Sequence, residues 1–106
     1  MGRPRAATLT PNVDELINLL QRDLPRLRGK YAIRSLGLFG SYVRGEQRRR
    51  SDLDVLIDFE NVPGLLKFME LEAELTSLLG VPVDLVQKEA LKPALGKRIL
   101  QEVRLV

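Results

Sequence analysis

Apolar residues recur at Val13, Leu16, Ile17, Leu20 and Leu24, three and four positions apart, which predicts an amphipathic helix. Thr10 followed by Pro11 reads as its N-cap and first helical residue. Asp14 and Glu15 suit the positive end of its dipole. Pro25 is expected to end or kink it, with Arg28-Gly29-Lys30 as the exit, although Leu27 would continue the stripe. The pattern then changes to short branched apolar runs. Ile33–Phe39 predicts a strand that stops at Gly40-Ser41, and a short helix over Tyr42–Glu46 follows. Leu53–Phe59 is the clearest strand. After the Pro63-Gly64 turn, Leu65, Phe68, Met69, Leu71, Leu75, Leu78 and Leu79 mark a helix that ends at Gly80. Val81–Val86 predicts a third strand, with Pro82 near its start, where a missing N–H is tolerated. From Glu89 the chain reads as helical, with Leu95, Ile99 and Val103 on one face, and Leu105-Val106 as a short last strand. The order α-β-α-β-α-β-α predicts an α/β or α+β sheet covered by helices.

Composition narrows the chemistry more than the fold. With 106 residues, 44% hydrophobic and 29% charged, the chain is expected to form one domain over residues 1–106, with residues 1–9 as a loose tail. It has no Cys and no His. That excludes disulfides, thiolate or imidazole metal sites, and catalysis by a Cys or His nucleophile or base. What remains is chemistry by carboxylates, hydroxyls, cationic side chains, backbone dipoles or a metal held by oxygen. No apolar run reaches the ~20 residues of a membrane span, and no signal peptide follows the basic start, so the cytoplasm is the expected compartment. Charge is uneven: residues 1–50 carry eleven Lys/Arg against four Asp/Glu, residues 51–106 six against ten. A basic half suits an anionic partner or simply a solvated surface.

Three features point to a site. Asp52 and Asp54, two apart at the start of a strand, are expected on one face. Carboxylates that close repel unless a cation sits between them or one keeps its proton. With oxygen ligands alone, that cation is a hard one, Mg²⁺ before Mn²⁺. Gly40-Ser41 stands at a strand-to-helix junction, where backbone N–H groups can meet a phosphate. Asp84 is a charge in an otherwise apolar strand, placed to complete the acidic set or to accept a proton from an attacking hydroxyl. Each alone has an ordinary explanation as a turn or a solvated strand end. Together they are the parts of a metal-assisted phosphoryl or nucleotidyl transfer site. Asp58 shares their parity but lies roughly 13 Å beyond Asp54 at strand rise, too far to join them.

Gly40-Ser41-Tyr42-Val43-Arg44-Gly45, followed by Ser51-Asp52-Leu53-Asp54-Val55-Leu56-Ile57, resembles the G-S-x-x-R-G…S-D-x-D signature of the DNA polymerase beta-type nucleotidyltransferase superfamily, and within it the minimal nucleotidyltransferase branch. The resemblance runs from about Val13 to the C-terminus. It implies a small mixed, partly antiparallel sheet flanked by helices. It implies that Gly40 and Ser41 hold a nucleoside triphosphate, and that Asp52, Asp54 and Asp84 bind Mg²⁺, two ions, with Mn²⁺ as a substitute. Arg44 matches the family arginine, which either contacts phosphate or pairs with Glu46 or a buried acid. Minimal members are commonly antitoxins similar to proteins that transfer AMP from ATP to a tyrosine of a partner HEPN-domain ribonuclease toxin. A short chain has little material for an acceptor pocket, so the acceptor is expected on another polypeptide. Two alternatives stay open: a non-catalytic antitoxin that acts by occlusion, and a small-molecule or RNA nucleotidyltransferase completed by a partner chain. Arg48-Arg49-Arg50 suits a triphosphate, an acidic partner or plain solvent. Tyr31 and Tyr42 are too few for an aromatic nucleic-acid surface, so direct nucleic-acid binding is not expected.

Overall fold

A computed structural model describes residues 11–106. The expected tail over residues 1–9 and the Thr10 cap lie outside them. Four helices and four strands follow the order α1 (Val13–Tyr31), β1 (Ile33–Phe39), α2 (Ser41–Arg44), β2 (Leu53–Phe59), α3 (Leu65–Leu79), β3 (Val83–Gln87), α4 (Pro93–Glu102) and β4 (Arg104–Leu105), with a 3-10 turn over Lys88–Ala90 before α4.

Helix α1 starts later than the Thr10-Pro11 pair predicts, and for a clear reason. Asn12 accepts from the Glu15 N–H while the Glu15 carboxylate accepts from the Asn12 N–H, both at 2.9 Å, a reciprocal capping box. Pro25 neither ends nor stops the helix, which runs on to Tyr31. Pro25 is exposed and removes one N–H from the helix ladder. Leu24 and Leu27 on either side stay in the core, and their burial offsets the lost bond. Ala32, in the left-handed conformation, closes the helix with its N–H on the Arg28 carbonyl.

The sheet order is β3-β2-β1-β4. β1 pairs antiparallel with both β2 and β4, and β2 pairs parallel with β3. The sheet is therefore mixed, as the family resemblance implies. The parallel pair requires a crossover, which α3 supplies. Alternation along β2 sorts the two faces. Leu53, Val55, Ile57 and Phe59 are buried against α1 and α3, in one core with Leu16, Leu20, Leu71 and Leu75. Leu56 faces the other way, packing with Phe39 and with Ile99 of α4. Asp54 and Asp58 share that second face by parity. Asp58 pairs with Arg34 at 3.5 Å, far down the strand from the site.

The inward stripe of α3 is narrower than its apolar content predicts. Leu71, Leu75 and Leu79 are buried, whereas Leu65 is 73% and Met69 53% exposed. α3 also guards the sheet edge: Thr76 Oγ1 accepts from the Val83 N–H at 3.2 Å and Glu72 from the Leu85 N–H at 3.1 Å. Those side chains cover donors of an edge strand that would otherwise invite another chain. β3 begins at Val83 instead of Val81, and α2 spans Ser41–Arg44 instead of Tyr42–Glu46. Val103 ends α4 as its C-cap, and the last strand forms one residue earlier than Leu105-Val106. No helix among the described residues is long and apolar enough to cross a membrane.

Candidate active site

The sheet brings three separate segments to one end. Strand register sets Asp54 opposite Phe39 of β1 on one side and opposite Asp84 of β3 on the other. Gly40, directly after Phe39, thereby reaches Asp54. The contact is so close that a Cβ on Gly40 would lie 2.0 Å from Asp54 Oδ2. Gly40 also has φ 84° and ψ −155°, a backbone region essentially restricted to glycine. Its carbonyl accepts from the Val43 and Arg44 N–H groups, both at 3.1 Å, which starts the single turn of α2. Gly40→Ala is expected to cost roughly 1–3 kcal/mol from backbone strain alone, more with the clash. A denaturant melt showing wild-type stability would contradict this geometry.

Asp54 is half-buried, while Asp52 and Asp84 are exposed. Asp52 precedes β2 instead of lying in it, so strand parity does not fix its direction as the sequence predicts. Its charge still reaches the site. The Asp54 carboxyl is pushed up to about 6, first by burial, then by the charges of Asp84 and Asp52, with the Arg44 guanidinium working in the opposite direction. The Tyr42 phenol is raised too, by burial and then by Asp52. Among the described residues, no three acidic side chains converge closely enough to hold a metal ion by themselves.

Gly40, Arg44, Asp54 and Asp84 line a cleft of about 310 Å³ between the sheet and α4. Ser41, the partly buried first residue of α2, follows Gly40 but, like Asp52, is not among the residues that line the cleft. The cleft has parts that the sequence reading missed. Phe39, Val86, Leu91, Leu95 and Ile99 form an apolar wall, and Arg98 and Glu102 join the polar side. Glu102 Oε2 accepts from the Gly40 N–H at 2.7 Å. Arg44 Nη1 lies 3.1 Å from both Glu102 oxygens, and its Nε donates to Glu46 at 3.0 Å. Arg44 thus pairs with Glu46 and with a second, partly buried acid. Burial favours the neutral form of Glu102, but the Gly40 N–H and then Arg44 outweigh it and hold its pKa below the usual range. One signal in the chain pointed to Glu102. An acid in the last turn of a helix opposes the dipole, so its presence asks for a partner elsewhere. Arg48–Arg50 are exposed in the α2–β2 connection, with the Arg48 N–H on Ser51 Oγ at 2.7 Å, and they do not line the cleft.

The donor set suits a hard cation. It is all oxygen, and Asp54 is held against ionisation by burial and then by its two acidic neighbours, a cost that a bound cation would relieve. Its open arrangement leaves room for further oxygen ligands from a bound anion.

Residues 15–106 match the family described as Nucleotidyltransferase domain. The chain is 48% identical over 91 residues to the protein adenylyltransferase MntA of Thermococcus cleftensis, covering 86% of this chain and 92% of that one. Its fold superposes on a minimal nucleotidyltransferase structure with a TM-score of 0.74 and 36% identity, covering 89% of this chain and 95% of that one. A crystal structure of a toxin–antitoxin with AMP-PNP matches with a TM-score of 0.65 and 27% identity, over 90% of this chain and 72% of that one.

Proposed function

The chain belongs to the nucleotidyltransferase family, and on that premise we propose that it is a protein adenylyltransferase antitoxin. In this reading it moves AMP from ATP to a tyrosine hydroxyl of a HEPN-domain toxin and inactivates that toxin in a heteromeric complex. The observation that carries the reading is the register of Phe39, Asp54 and Asp84, which brings the Gly40 turn and two carboxylates to one cleft. The similarity to a named protein adenylyltransferase supports the acceptor class, and the toxin–antitoxin neighbour with AMP-PNP supports the donor and the partner.

The reaction is in-line attack of the phenolic oxygen on the α-phosphorus, forming a P–O bond as the bond to the β-phosphate oxygen breaks and pyrophosphate leaves. The Gly40-Ser41 turn receives the triphosphate: Gly40, its own N–H held by Glu102, brings the backbone up to the acidic strand as glycine alone can, and Ser41 adds a hydroxyl. Arg44 stands beside them as a fixed positive charge. Asp84, exposed at the mouth of the cleft, accepts the proton of the tyrosine, whose ordinary pKa of ~10 makes the transfer modest. Asp52, Asp54 and Asp84 would hold Mg²⁺, or Mn²⁺ in its place, and the bound ion supplies neutralisation of the charge on the phosphate oxygens. The apolar wall excludes water from one side of the cleft.

The direct test uses ATP labelled at the α-phosphate, Mg²⁺ and the partner. Wild type is expected to leave label on a partner tyrosine and release pyrophosphate. Asp84→Ala is expected to bind the partner and transfer at least about a hundredfold more slowly. Label that stays on nucleotide with wild type would remove the enzymatic reading.

A further inference from the structure

The geometry points to Glu102 as a positioning residue for the nucleotide: from the end of α4 it clamps the Gly40 turn and the Arg44 guanidinium in the arrangement that receives the triphosphate. The inference rests on the nucleotidyltransferase reading above.

The clamp is built from one carboxylate and two donors that are distant from it in the chain. Glu102 Oε2 takes the Gly40 N–H at 2.7 Å, across 62 residues, and both oxygens meet Arg44 Nη1 at 3.1 Å. The Gly40 peptide is consequently held from two sides, its N–H by Glu102 and its carbonyl by the first turn of α2. That matters because Gly40 has a conformation few residues adopt and sits against Asp54, so a small rotation there moves the turn relative to the acidic strand. Arg44 is fixed in the same way. The side chain is 46% exposed, and Nε on Glu46 with Nη1 on Glu102 sets the direction of its guanidinium.

The base of the clamp is anchored too. Residues just past Glu102 pair with β1, Leu105 opposite Gly37 and Arg104 opposite Leu38. A Cβ on Gly37 would meet Val103 Cγ2 at 2.5 Å, so this segment packs directly on the β1 backbone. Helix stability does not explain the acid, since a carboxylate in the last turn is unfavourable there. A carboxylate at this point can also be pictured as a placeholder that phosphate must displace. The two pictures predict opposite signs.

Calorimetric titration of ATP with Mg²⁺ into wild type, Glu102→Ala and Glu102→Gln, each with a melting curve, separates them. Glu102→Ala is expected to bind ATP about tenfold or more weakly, the size of losing hydrogen bonds to a charged group. Glu102→Gln is expected to lie between, because its amide oxygen can keep the Gly40 bond but not the charge facing Arg44. It also serves as the isosteric variant should Glu102→Ala fail to fold. Unchanged ATP affinity in folded Glu102→Gln and Glu102→Ala, with only the melting point lowered, would overturn the assignment in favour of a merely structural tie. Tighter ATP binding in either variant would overturn it in favour of the placeholder. A wild type that binds no ATP would instead overturn the nucleotidyltransferase reading and this inference with it.

Discussion

Asp54→Asn is expected to abolish adenylyl transfer while making the metal-free protein more stable at neutral pH. Loss of a charge that stabilises the transition state costs about a hundred- to thousandfold in rate. The stability effect has the opposite sign because of how Asp54 titrates. Its folded pKa, about 6, lies above the ordinary 3.8. Between those values the folded protein keeps a proton that the unfolded chain releases, so stability falls as pH rises through that window. Below about 4 the carboxyl is neutral in both states and the penalty is absent. Above 6 it is complete. Asn carries no such charge at any pH. For a half-buried group screened by solvent the gain is roughly 1 kcal/mol, or about 4–8 °C for a domain of this size. Melting curves of both proteins in chelator should therefore separate at pH 8 and converge near pH 4. A variant that melts below wild type at pH 8, or one that still transfers AMP, would contradict the role given to Asp54.

ATP and Mg²⁺ together are expected to raise the melting temperature by about 10 °C or more, and by more than either alone. At one hundred times the Kd, a ligand that binds only the folded state adds about 2.7 kcal/mol, and each kcal/mol moves a small domain by about 4–8 °C. The synergy follows from the site. The acidic side chains do not enclose an ion by themselves, so the metal lacks ligands without phosphate oxygens. Triphosphate alone meets Asp54, Asp84 and Glu102 in one cleft and is repelled by them. A melting curve unmoved by saturating ATP with Mg²⁺ would count against the whole site.

Much of this was legible in the sequence where local signals act alone. β1 and β2 have the bounds that their branched apolar runs predict, because Gly40-Ser41 ends one and the other carries strand formers at every second inward position. α3 stops before Gly80, whose φ of 73° explains the stop. Local signals failed where two of them competed. Thr10-Pro11 resembles a helix start, yet the reciprocal cap forms further on, between Asn12 and Glu15. Pro25 breaks a helix in isolation but not one whose neighbours Leu24 and Leu27 are buried. The site was legible to the extent that it lies in strands. Asp54 and Asp84 share a face, which alternation anticipates, and meet through sheet register, which alternation does not set. Asp52 lies just outside β2, where alternation says nothing. Glu102 was legible only as an acid in an unfavourable last-turn position, without its partners. Its partners, Gly40 and Arg44, are set by how the chain end folds back on β1, a tertiary fact that no local window contains.

The most direct measurement is intact-mass spectrometry of the partner toxin after incubation with a small fraction of an equivalent of this protein, ATP and Mg²⁺. Catalysis predicts that nearly all of the partner gains whole adenylyl groups, each with loss of one pyrophosphate from ATP, and stays inactive after the two proteins are separated. Inhibition that needs a full equivalent, ends on separation and leaves the partner's mass unchanged would contradict catalysis and establish occlusion in its place.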